Sequence, residues 1–153
     1  MSRALKLFIT LFFTYAFFTN SYLTTNDASR FALTAAIVEK GNFEIADILP
    51  QVLPARGEGW VPRDFVSIGN KVYSDKAPAG SFIAVPVYFI VTRFTHRLPL
   101  IVYLVSLFTA GLATALSGVL LFKLSGHFGC GERQSLAIGL VYGLCTMALF
   151  YGG

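Results

Sequence analysis

Charge is what this chain has little of. Asp, Glu, Lys and Arg make up only 13% of its 153 residues, about half their share in soluble domains, so a globule built around a water-facing charged surface is excluded as the starting picture. Cysteine is almost missing. Cys130 stands in a Gly-rich connection and Cys145 inside an apolar run, with neither the density of a disulfide scaffold nor the spacing of metal ligands. Histidine is as sparse, since His96 and His127 have no second ligand at metal spacing. The sequence contains no Walker loop, no GxSxG elbow and no N-x-Ser/Thr site. Its formal charge of +4 is scattered through connections rather than gathered into a basic stripe, which argues against nucleic acid as a partner.

Apolar residues fill the space that charge leaves. Hydrophobic residues make up 55% of the chain and aromatic ones 15%, and they concentrate in runs at 4–23, 79–95, 98–122 and 135–151. Thirteen of the twenty charged side chains lie between positions 24 and 78. A bilayer sorts a sequence in this way. The pattern predicts an all-α integral membrane protein, a single membrane domain of about four transmembrane helices with a long loop, 24–78, after the first.

Within the runs, Lys6 can snorkel to the headgroups. The first run reads as an uncleaved anchor rather than a signal peptide, because no small-x-small cleavage site follows Phe18. Pro86 should kink the second run. Gly111, Ala115 and Gly118 recur three or four apart, so one face of the third allows a close helix neighbour. Trp60 and the many Tyr and Phe residues fit an aromatic belt.

The loop has structure of its own. Asn26 or Asp27 is placed to cap a helix through Phe31, Ala35 and Val38 that ends at Gly41, its apolar face suited to a membrane surface. Pro50, Pro54, Gly57 and Gly59 then break the chain, and the segments 64–68 and 71–74 flank a tight Gly69-Asn70 turn. That hairpin delivers Ser74-Asp75-Lys76 to the mouth of the second run. Orientation does not follow from charge counting. With the N-terminus inside, Arg3, Lys6, Arg93 and Arg97 are cytoplasmic and eight basic residues lie outside, six of them in the long loop, whose length approaches the limit at which the positive-inside rule loses force.

The residues that can carry chemistry sit at the two ends of this loop. Asp27 follows the first run closely, while Asp75 and Lys76 immediately precede the second. A carboxylate so placed can take a proton from an attacking hydroxyl or help hold a divalent cation; a lysine supplies a point charge for a phosphate. Each also has an ordinary structural role. Asp27 can cap the loop helix with Arg30 as its ion-pair partner, and Lys76 can anchor a helix end at the interface. Arg93, His96 and Arg97 form a short basic turn that holds its loop on one side of the membrane.

The segments Asn26-Asp27-Ala28-Ser29-Arg30-Phe31-Ala32-Leu33 and Lys71-Val72-Tyr73-Ser74-Asp75-Lys76-Ala77-Pro78 resemble the opening of GT-C-type membrane glycosyltransferases, of the mannosyltransferase-like and aminoarabinose-transferase-like group. The resemblance covers roughly positions 20 to 95. It implies a first loop on the non-cytoplasmic face of the cell membrane and an acidic active-site residue just after the first helix, the position of Asp27. It further implies a lysine at the mouth of the second helix that recognises the donor phosphate, the position of Lys76, with Arg30 and Asp75 in support. Ala77 replaces the first proline of the Lys-Pro-Pro-like motif found there.

The activity implied is transfer of a sugar from a polyprenyl-phosphate donor to an acceptor hydroxyl, with inversion at the anomeric carbon. Family members carry many more membrane helices than this chain. The expectation is therefore an N-terminal part that is inactive alone: a fragment, a truncated reading frame, or half of a split protein whose other helices a second chain supplies. The competing class is a non-enzymatic membrane accessory or assembly protein whose loop is a docking surface, in which Asp27 and Lys76 are replaceable. A transporter is disfavoured because Arg93 and Arg97, the charges between positions 79 and 122, stand together at a turn.

Overall fold

The computed structural model describes residues 2–53 and 64–152. In chain order the elements are α1 (Arg3–Phe18), α2 (Thr25–Lys40), α3 (Leu49–Val52), β1 (Phe65–Ile68), β2 (Lys71–Ser74), α4 (Ala79–Val91), α5 (Leu98–Ser106), α6 (Leu112–His127), α7 (Glu132–Cys145) and α8 (Met147–Gly152), with a π turn, Leu107–Gly111, between α5 and α6. The described chain is thus mostly helical. It forms two compact units, Met1–Asn20 with Ser106–Gly153, and Ser21–Val105.

The first unit is organised by small residues. Leu7, Leu11 and Tyr15 recur every four residues along α1 and are almost wholly buried. They press into a strip of glycines on α6 and α7, where a Cβ on Gly118 would stand 2.5 Å from Leu11 Cδ1 and one on Gly139 would stand 3.0 Å from the Gly118 carbonyl oxygen. The face Gly111, Ala115 and Gly118 is therefore buried as its spacing predicts, and α7 answers it with Gly139 and Gly143, a small-xxx-small pair that lets backbones approach closely. The Tyr15 hydroxyl donates to the Gly143 carbonyl at 3.1 Å, satisfying a polar group that the packing has buried.

Helix ends correct the expected spans. Thr19 leaves helical geometry with ψ of 132°, so α1 stops at Phe18 rather than near position 23. The run at 135–151 is two helices, because Thr146 is extended at φ −124° and ψ −178°. Its hydroxyl donates to the Tyr142 carbonyl at 2.6 Å and accepts from the Ala148 N–H at 3.1 Å, ending α7 and starting α8. The helix α4 runs through Pro86 and ends at Val91. As continuous helices, α1, α4 and α7 have 16, 13 and 14 residues, roughly 20 to 24 Å at 1.5 Å per residue, short of a hydrocarbon core of about 30 Å. Among the described residues, one helix is long and apolar enough to cross a membrane: the 30-residue run Leu98–His127.

The second unit centres on α2. Thr24, earlier than the expected Asn26 or Asp27, is its N-cap, and Gly41 at φ 65° ends it in the left-handed conformation that glycine adopts without a Cβ clash. Every residue from Ala28 to Ala36 except Arg30 is buried. The expected surface-lying amphipathic helix is instead a core helix, since Ala28, Ala32, Ala35 and Ala36 admit neighbours on nearly every side. Phe31 meets Tyr88 of α4 edge to face, their centroids 5.5 Å apart, and Ile45, Ile48, Leu49, Val52, Ile101 and Val105 complete the core. Pro50, expected to break the chain, lies in the first turn of α3, where a missing N–H costs nothing. Pro54, Gly57, Gly59 and Trp60 lie outside the described residues.

The hairpin forms where expected, one residue shorter at its start. Phe65 pairs with Ser74 and Ile68 with Lys71. Gly69 has φ of 62° while no described non-glycine residue has positive φ, the sign pattern of a type II′ turn with glycine first. The Ile45 N–H donates to the Val72 carbonyl at 2.9 Å, tying the hairpin to the core.

Candidate functional site

Two interactions draw the loop's ends together within the second unit. The Ser29 hydroxyl, in the second turn of α2, donates to Ser74 Oγ at the end of β2 at 2.8 Å. Ser74 Oγ also accepts the Lys76 N–H at 3.3 Å. The second link runs through Asp64, whose carboxylate accepts from Lys76 Nζ at 2.8 Å and is held down in pKa by the nearby hydroxyl of Thr25, the first residue of α2. The first turns of α2 and the segment leading into α4 are thereby one surface.

Lys76 is the focus. Asp75 Oδ1 stands 3.3 Å from its ammonium, alongside Asp64, and the side chains of Lys76 and Asp64 retain only 22% and 18% of their exposure. Hydrogen bonding to Asp64, then the pull of both carboxylates, raises the Lys76 pKa above the usual lysine value against the cost of burial. Hydrogen bonds from Lys76 and Thr25 hold Asp64 below the usual carboxylate range. One ammonium between two carboxylates leaves the cluster with one net negative charge at neutral pH.

Asp27 lies in the first turn of α2, half-buried. Its N–H donates weakly to Thr24 Oγ1 at 3.4 Å, and its carboxylate accepts from the Thr24 hydroxyl. The expected cap role therefore belongs to Thr24, with Asp27 as its reciprocal partner three residues on. Arg30 does not pair with Asp27 among the described residues; its side chain is exposed, and its carbonyl accepts from Thr34 Oγ1 within α2 at 3.1 Å and from Ser81 Oγ at 2.9 Å, the bond that fastens α2 to α4. The structure thus brings the Asp27 turn beside the Lys76 segment without a direct bond between them.

Asp64 is the residue that sequence reasoning passed over. Part of the signal was present, because a two-residue Gly69-Asn70 turn fixes the register, and extending it one step past Phe65 and Ser74 sets Asp64 opposite Asp75, the residue next to Lys76. No group of three or more His, Cys, Asp and Glu side chains among the described residues is arranged to hold a metal ion. An open apolar groove of about 500 Å³, lined by Ser117, Leu120, Leu121, Leu124 and Tyr142, belongs to the first unit and contains none of these charged residues. No protein-family model, curated protein or solved structure matches this chain.

Proposed function

We propose that this chain forms the first-loop region of a GT-C-type membrane glycosyltransferase, which moves a sugar from a polyprenyl-phosphate donor to an acceptor hydroxyl. The observation that carries the reading is the joining of the Asp27 turn to the Lys76 segment through Ser29, Ser74 and Asp64. In the proposed reaction the acceptor oxygen attacks the anomeric carbon as the bond from that carbon to the phosphate oxygen breaks. Polyprenyl phosphate leaves with the electron pair, and the acceptor proton passes to Asp27. Lys76 neutralises charge on the phosphate, an effect that strengthens where water is excluded. Because Asp64 already holds the ammonium, the incoming phosphate must compete with a carboxylate. Arg30, exposed one turn beyond Asp27, and Asp75 line the same end.

The membrane setting belongs to the proposal. We place α1, α4, the Leu98–His127 run and α7 in the bilayer of the cell membrane, with α2 packed beside α4 and the charged ends of the loop, at Asp27 and at Asp64 to Lys76, on the non-cytoplasmic face. Outward-facing Phe13 and Phe17 of α1, Ile83 and Ile90 of α4, Leu116, Leu120 and Leu124 of α6, and Val141 of α7 support this, since soluble monomers rarely expose so much apolar surface. The shorter helices fit if the bilayer thins or flanking side chains snorkel.

Binding of polyprenyl phosphate to the purified chain tests the reading. Lys76→Ala should weaken binding by about tenfold or more, the scale of a lost charge-assisted hydrogen bond. Asp27→Asn, nearly isosteric, should leave binding intact. Equal binding by wild type and Lys76→Ala would favour the accessory-protein reading, in which Asp64 and Asp75 hold Lys76 for structure alone.

A further inference from the structure

The connection between α4 and α5 carries side chains that the second unit does not use. Phe94 is 86% exposed, and Arg93, His96 and Arg97 stand around it, the two arginines at the surface. Among the described residues no carboxylate pairs with Arg93 or Arg97; the Arg93 guanidinium instead lies over the Phe89 ring, 4.7 Å from its centroid. The fold accounts for only one of these cations. Arg93 follows the C-terminal end of α4, where a helix favours positive charge. Arg97 stands at the opposite kind of end: its carbonyl accepts from the Leu100 and Ile101 N–H groups at 3.0 Å, so its charge sits at the start of α5, where a helix disfavours a cation.

The helices on either side expose apolar residues up to this turn, Phe89 and Ile90 on α4 and Leu100 on α5. Uncompensated cations at the tip of an apolar surface, with a phenyl ring projecting among them, have the chemistry of a membrane interface carrying negative charge. There the ring enters the headgroup layer and the guanidinium groups meet phosphates in paired hydrogen bonds. We infer that the Arg93–Arg97 turn is a recognition surface for the headgroups of anionic phospholipids. The inference rests on the membrane reading above and is independent of sugar transfer.

The 153-residue chain, purified in detergent, is offered phosphatidylglycerol and phosphatidylcholine with the same acyl chains, and bound lipid is counted by native mass spectrometry. The wild type should prefer phosphatidylglycerol. Arg93→Gln with Arg97→Gln should lower that affinity by about fivefold for each charge removed, following the attraction of one basic side chain to an anionic surface, and leave phosphatidylcholine binding unchanged. Arg93→Lys with Arg97→Lys should retain the preference, and so should Lys123→Gln with Arg133→Gln, which removes exposed charges elsewhere. A wild type that binds both lipids equally overturns the inference while leaving the membrane reading in place, and one that binds neither removes both. A preference that survives the double glutamine variant, or falls equally in the Lys123 and Arg133 control, also overturns it.

Discussion

Lys76 is held by its neighbours: Asp64 at 2.8 Å and Asp75 at 3.3 Å both contact the ammonium, and Thr25 steadies Asp64 in turn. The pH behaviour follows from the two shifts. Asp64, depressed in the folded chain, contributes stability that is complete above the ordinary carboxylate range near pH 4 and is lost as pH falls through its lowered value. Lys76, raised in the folded chain, contributes stability that is complete below the ordinary lysine value of about 10.4 and is lost as pH rises through its higher one. Hairpin protection against hydrogen exchange, corrected for intrinsic rates, should therefore be flat between about pH 5 and 9 and decline on both sides. Asp64→Asn should lower the plateau and remove the acid-side decline; an unchanged profile would mean that the pair holds nothing together. At this scale the sequence was readable in part. Asp27, Asp75 and Lys76 announce themselves by their positions, whereas the partnership with Asp64 depends on strand register, and the replacement of Asp27 by Thr24 as the cap depends on where the backbone leaves helical geometry.

Helices in the first unit meet through missing side chains rather than interlocking ones. A Cβ on Gly139 would lie 2.7 Å from Leu7 Cδ2 and 3.0 Å from the Gly118 carbonyl oxygen, and the second contact is with backbone that cannot rotate away. Gly139→Ala should destabilise the protein by about 1 to 3 kcal/mol, the cost of overpacking, lowering its melting temperature in detergent. Gly80 offers the contrast, being helical with open space beyond its own helix where a methyl group would stand; Gly80→Ala should be neutral or gain about 0.5 to 1 kcal/mol. Equal melting shifts for the two would contradict the close approach. Spacing alone disclosed the small-residue face on α6, because Gly111, Ala115 and Gly118 recur at helical intervals. It did not disclose the ends of α1 and α7. Thr19 and Thr146 look like tolerated hydroxyls inside apolar runs, bonded to the carbonyl four residues back as Thr14 is inside α1, and only their extended backbone torsions reveal that the helices stop there.

At the scale of the molecule, hydrophobicity and charge segregation pointed to helices and a membrane, and the described chain is mostly helical with one run of spanning length. The loop proved more ordered than its polarity suggests, because alanines let α2 bury itself in the core instead of lying on a surface. Its two ends meet, and the proposed function requires their meeting place to receive a lipid phosphate. Photolabelling asks this of the site itself. A polyprenyl phosphate carrying a photoreactive group beside the phosphate is irradiated with the 153-residue chain in membranes, and labelled peptides are located by mass spectrometry. Labelling should fall in the first turns of α2 and in the segment from Ser74 to Ser81, suppressed by excess unlabelled polyprenyl phosphate and by Lys76→Ala. Labelling spread evenly along the apolar helices, indifferent to competitor and to Lys76, would refute a phosphate site there.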